Sequence, residues 1–151
     1  MKHNYINSLD LDIGKYFTGI RVNTVGTCEK GTVDTRNGIL KTPRDQLQNY
    51  ENNLDCTWVL TTSPGKRIVL DPFQINIEKC SSNCTCDYLE IKTSRENTGR
   101  HSESNQNSMT KPYCGDEKIP KMQSKDNFLS VHFKSDGATG LKGFKIKYHL
   151  K

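Results

Sequence analysis

Six cysteines carry the strongest chemical signal in this 151-residue chain, at positions 28, 56, 80, 84, 86 and 114. Thiols at such a density serve either metal coordination or disulfide formation. A structural zinc site gathers two short Cys/His pairs across a spacer. Here Cys80, Cys84 and Cys86 cluster, but Cys114 stands alone and the four histidines (3, 101, 132 and 149) are scattered. An even set of cysteines dispersed over most of the chain reads instead as a disulfide framework made in an oxidising compartment. Nucleophilic catalysis finds less support. No serine sits in a Gly-x-Ser-x-Gly elbow. His132 falls in an alternating stretch where it takes the face opposite Val131 and Phe133, and His101 lies in a polar run. Paired thiols cannot serve as Cys–His nucleophiles, so the chain reads as non-catalytic. Asn83-Cys84-Thr85 is an N-glycosylation sequon, which makes Asn83 a candidate glycan carrier even though its middle residue is a cysteine.

The elements that position these residues are short strands. From Cys28 onward, turn signals and alternating apolar runs follow one another. Asn37-Gly38 reads as a turn pair before Ile39–Thr42. Cys56-Thr57-Trp58-Val59-Leu60 puts Cys56, Trp58 and Leu60 on one face. After the Ser63-Pro64-Gly65 turn, Arg67–Asp71 and Phe73–Glu78 read as two further strands, and Asp87–Lys92 as another. Residues 93–111 are almost wholly polar and read as a long loop. Phe128–Asp136 and Phe144–Leu150 complete the set around a Gly-rich turn at 137–143, and only Ile119–Lys125 suggests a helical turn. An apolar fraction of 32% fits one modest core with polar loops. The expected fold is all-β, a two-sheet antiparallel β-sandwich. Residues 1–27 pattern poorly and are set apart as an N-terminal extension or the tail of a preceding unit, with the domain over 28–151.

The ordered series of features resembles a known family. It runs Cys28, Gly38-Ile39-Leu40-Lys41-Thr42-Pro43, Tyr50, Cys56-x-Trp58, Phe73–Glu78, Cys84-Thr85-Cys86-Asp87-Tyr88-Leu89-Glu90-Ile91, Tyr113-Cys114-Gly115, Phe133-Lys134-Ser135-Asp136 and Gly143–Tyr148. This resembles the CUB domain from about residue 28 to the end. The resemblance implies the disulfides Cys28–Cys56 and Cys84–Cys114. Cys80 and Cys86 are then left to pair with each other, unless Cys86 exchanges roles with Cys84. Each bridge is worth roughly 2–4 kcal/mol.

By spacing alone, Glu78, Asp87 and Asp136 are surface acids at strand ends. The resemblance implies more: a calcium site made by these three carboxylates, supported by the hydroxyl of Tyr50. Calcium takes six to eight oxygen ligands, which carboxylates from separate loops can help supply. It also implies a function, calcium-dependent binding of an extracellular protein by loops at one end of the sandwich, with a partner's lysine docking beside the acids. Such a module would act in a secreted or extracellular setting, either alone or as an accessory piece of a secreted protease. Met1–Leu11 has no apolar h-region, so the leader is expected to be missing from this sequence. No run of residues is long and apolar enough for a membrane span. The net charge of +5 offers a further reading, a basic surface for a sulfated glycan. Nothing in the sequence suggests nucleic-acid binding.

Overall fold

The computed structural model describes residues 18–28, 30–95 and 109–151. These form nine strands and no helix: β1 (Ile20–Gly26), β2 (Gly31–Thr35), β3 (Asn37–Lys41), β4 (Asp55–Thr61), β5 (Ile68–Asn76), β6 (Tyr88–Lys92), β7 (Met122–Gln123), β8 (Phe128–Lys134) and β9 (Gly143–Leu150). They make two sheets in the orders β2-β1-β4-β8-β6 and β3-β9-β5-β7. Every pairing is antiparallel. The fold is a two-sheet antiparallel β-sandwich, as the alternation in the sequence predicts. No helix among the described residues is long and apolar enough to cross a membrane.

The core is the sum of the inward positions. In β4 and β8, Cys56 lies opposite Phe133, Trp58 opposite Val131 and Leu60 opposite Leu129, and all six are buried. The second sheet contributes Leu40, Ile68, Leu70, Phe144, Ile146 and Tyr148. Aromatic rings lock the two layers together. Trp58 of the first sheet meets Phe144 of the second edge-on at 5.4 Å, and Phe144 in turn meets Phe133 at 5.6 Å. Edge-on geometry sets the positive rim of one ring against the negative face of the other, adding to the gain from burial.

Several local readings are corrected. β1 lies between β2 and β4, with Ile20 and Val22 buried. The sheet therefore begins ahead of the division expected at 27/28; residues 1–17 lie outside the described part. Asn37-Gly38 is not a turn but opens β3, with Gly38 opposite Tyr148. A Cβ at residue 38 would sit 2.5 Å from the Tyr148 hydroxyl oxygen, so packing rather than turning demands this glycine. The two strands expected at 67–71 and 73–78 are one strand, β5. A register shift between Pro72 and Gln74 absorbs the proline and turns Phe73 outward, where it is 50% exposed. β7 pairs only with Val69 and Leu70, so Pro72 stands beyond it at a bulge, where a missing N–H is tolerated. Ile119–Lys125 holds no helical turn; it buries Ile119 and supplies β7 to the sheet edge. Of the long polar loop, 96–108 lie outside the described residues.

Candidate functional site

The strand order alone gathers the sequence-predicted acids at one end. The first residue of β6, Tyr88, pairs with the last of β8, Lys134, so Asp87 and Asp136 leave the first sheet side by side. In the second sheet Asn76, the end of β5, pairs with Gly143, the start of β9. The 135–142 connection joins β8 to β9 at that same end, and Glu78 follows two residues after β5. Tyr50 arrives on the connection between β3 and β4. Its N–H donates to Leu141 O at 2.8 Å, and the Asn53 N–H donates to Asp136 O at 2.8 Å. A Cβ on residue 140 would lie 2.1 Å from Tyr50 O, so Gly140 lets the two connections close on each other.

The three carboxylates each place an oxygen so that all lie within 4.8 Å of one another. Asp87 is wholly buried and Tyr50 nearly so. The Tyr50 hydroxyl donates to Asp87 Oδ2 and accepts the Glu78 N–H at 3.0 Å. The other Asp87 oxygen accepts the Asp136 N–H at 2.7 Å. One phenol and one backbone amide thus fix both Asp87 oxygens. Glu78 Oε1 is buried and has no hydrogen-bond partner. Burial pushes the Asp87 carboxyl above its usual range. The bonds from Tyr50 and the Asp136 amide oppose that rise, while the charges of Asp136 and Glu78 add to it. Burial, and then the bond to Asp87, also raise the Tyr50 phenol, so it remains a donor at neutral pH. Three clustered carboxylates, one with an orphaned buried oxygen, make a hard-oxygen donor set that suits a divalent cation such as calcium or magnesium. A second cluster, Glu78 with Cys80 and Cys86, offers no thiolate, because its two sulfurs are bonded to each other.

The disulfides are Cys28–Cys56, Cys80–Cys86 and Cys84–Cys114. The choice between Cys84 and Cys86 as partner of Cys114 thus falls to Cys84. Cys80–Cys86 closes a loop between Glu78 and Asp87, and Cys84–Cys114 ties that loop to the segment carrying Tyr113 and Gly115. Gly115 and Ile77 exchange both backbone bonds, at 2.9 and 2.7 Å, which steadies the chain just before Glu78. Asn83 is exposed on this loop, with its N–H donating to Ser81 Oγ at 3.3 Å. Ser135, which the sequence marks only as part of the Phe133–Asp136 motif, also builds the site. Its hydroxyl accepts the Leu54 N–H at 2.9 Å and donates to Glu51 O at 2.8 Å, pinning the Tyr50 connection beside Asp136. Its partners stand more than eighty positions away, so local pattern held no signal for it. His132 lies on the outer face of the first sheet, with Nε2 2.7 Å from Asp55 Oδ1 and Nδ1 3.5 Å from Glu90 Oε1. His3 and His101 lie outside the described residues.

Comparison with known proteins agrees with this architecture. The family model described as CUB domain matches residues 28–148. Cubilin of Canis lupus familiaris is 36% identical over 109 residues, which span 72% of this chain and 3% of that protein. Exoskeleton protein RP43 of Riftia pachyptila is 30% identical over 138 residues, spanning 91% of this chain and 30% of that protein. The chain thus covers less than a third of either relative. Among solved structures, the MASP-1 CUB2 domain bound to Ca2+ superposes with a TM-score of 0.61 at 20% identity, covering 76% of this chain and 93% of that one. With the ordered motifs, the two-sheet sandwich and the family match over most of its length, the chain belongs to the CUB-domain family.

Proposed function

We propose that this chain is a non-catalytic extracellular binding module whose loops at one end of the sandwich are organised by calcium and hold a protein partner. The observation that carries the reading is the convergence of Glu78, Asp87 and Asp136, with a buried Glu78 oxygen left without a partner. Glu78, Asp87 and Asp136 would hold the ion, and Tyr50 would orient Asp87 toward it. Calcium supplies the positive charge that relieves the repulsion among these acids and ties together the connections that carry them. Two further facts support the reading. The structurally similar MASP-1 CUB2 domain is described as bound to Ca2+. All six cysteines are in disulfides, which suits an oxidising extracellular setting and leaves no thiol nucleophile.

Three carboxylates around one divalent ion leave residual negative charge, to which a partner's lysine ammonium can dock. A lysine-bearing peptide immobilised on a surface provides the test. The chain should be retained in calcium and released by chelation, and Asp136→Ala should not be retained in either condition. Retention that survives both chelation and Asp136→Ala would overturn the coupling of calcium to partner binding.

A further inference from the structure

A second surface, far from the carboxylate end in character, is built on the outer face of the second sheet. Strand alternation sends Lys145 and Lys147 of β9 outward, since Phe144, Ile146 and Tyr148 point into the core. The register places Lys41 directly opposite Lys145 and Ile39 opposite Lys147. Beyond β9, the Lys151 ammonium donates to Gln123 Oε1 at 3.0 Å. Lys151 also lines, with Lys121, His149 and Val69, a depression of about 410 Å³ on the same face. The acid in this register is Asp71, opposite Lys147. Among the described residues, none of the five lysines is ion-paired to a carboxylate.

This arrangement is unfavourable for a free surface. Like charges directly opposite across a strand pair destabilise the sheet, and Lys41–Lys145 is such a pair. The cost is offset when a polyanion bridges the two ammonium groups. The charge also follows a line, because outward residues along β9 recur at about 6.6–6.8 Å, twice the rise per residue. Apolar side chains are interleaved with the lysines rather than gathered into a wedge. Ile39 and Phe73 are both about half exposed, and the Lys147 ammonium sits 5.2 Å from the centre of the Phe73 ring. Cation–π contact holds that lysine in place on a rigid strand.

We infer that the outer face of the β3-β9-β5 sheet, carrying Lys41, Lys145 and Lys147, binds a linear sulfated glycan independently of the calcium end. Sulfates suit the row of ammonium groups, and sugar rings suit the single apolar side chains between them. A lipid surface would call for a contiguous apolar edge, whereas here the exposed apolar side chains, Ile39 and Phe73, stand beside lysines.

The test uses the full oxidised chain and a size-fractionated heparin octasaccharide at about 0.15 M salt, where surface charge is screened beyond about 8 Å. Wild type should bind, and EDTA should leave the affinity unchanged. The triple variant Lys41→Gln, Lys145→Gln, Lys147→Gln should weaken binding by at least about tenfold. The matched variant Arg21→Gln, Lys92→Gln, Lys134→Gln removes three charges from the outer face of the other sheet and should bind within about twofold of wild type. Melting curves on both variants check that the sandwich is intact. Equal losses in the two variants would overturn the proposal, since net charge alone would then govern. So would binding to phosphatidylserine vesicles without binding to the oligosaccharide, or loss of oligosaccharide binding in EDTA.

Discussion

At the scale of single residues, the hydroxyl of Tyr50 joins two of the acid-bearing connections. It donates to Asp87 and accepts from the amide of Glu78, so one oxygen orders two of the three acid-bearing positions. Its ring packs edge-on against Phe133 at 5.0 Å, a contact that Tyr50→Phe preserves. That substitution strips the donor from a buried carboxylate oxygen and the acceptor from a neighbouring amide. A loss of about 1–3 kcal/mol in stability is expected, read by denaturant unfolding in EDTA. Calcium affinity should fall with it, because Asp87 is no longer held. Unchanged stability and calcium response would show that the bond does not order the site. Much of this residue-level picture was legible in the sequence, yet only through the ordered motifs. Spacing by itself left Glu78, Asp87 and Asp136 as ordinary strand-end acids. The bond that couples Tyr50 to Asp87 spans 37 positions and exists only once the two sheets close.

At the scale of elements, loop length orders the disulfides. Cys80–Cys86 closes a separation of 6 residues and Cys84–Cys114 one of 30. By chain entropy the first is worth about 2.2 kcal/mol and the second about 3.7. Cys80→Ser/Cys86→Ser should therefore lower the unfolding free energy by roughly three-fifths as much as Cys84→Ser/Cys114→Ser. Equal losses would mean that the short bridge acts on the native loop between Glu78 and Asp87 rather than on the unfolded chain. Strands that bury every second residue, such as β4 and β8, could be read directly from alternation. β2 could not: it lies at a sheet edge, exposed along nearly its whole length, and carries no apolar period. Nor could β1, which falls within the poorly patterned residues 1–27. It pairs over six positions with β4 and buries Ile20 and Val22. Removing residues 1–27 should therefore abolish cooperative thermal unfolding. A shortened chain that still melts cooperatively would show that the sandwich closes without β1.

At the scale of the molecule, a net charge of +5 conceals a separation of charge. Acids converge where β6, β8 and β5 reach one end, while lysines line the outer face of the second sheet. The two proposed ligands, a cation at the first and a polyanion at the second, are of opposite sign to the groups that would hold them. Composition could give only the sum of these charges; strand pairing determines which of them meet. A cation at the loop end is read by calorimetric titration of calcium into oxidised protein, with Asp136→Ala run in parallel. A single binding event is expected for wild type and none for the variant. No heat in wild type, or the same isotherm in both proteins, would contradict it.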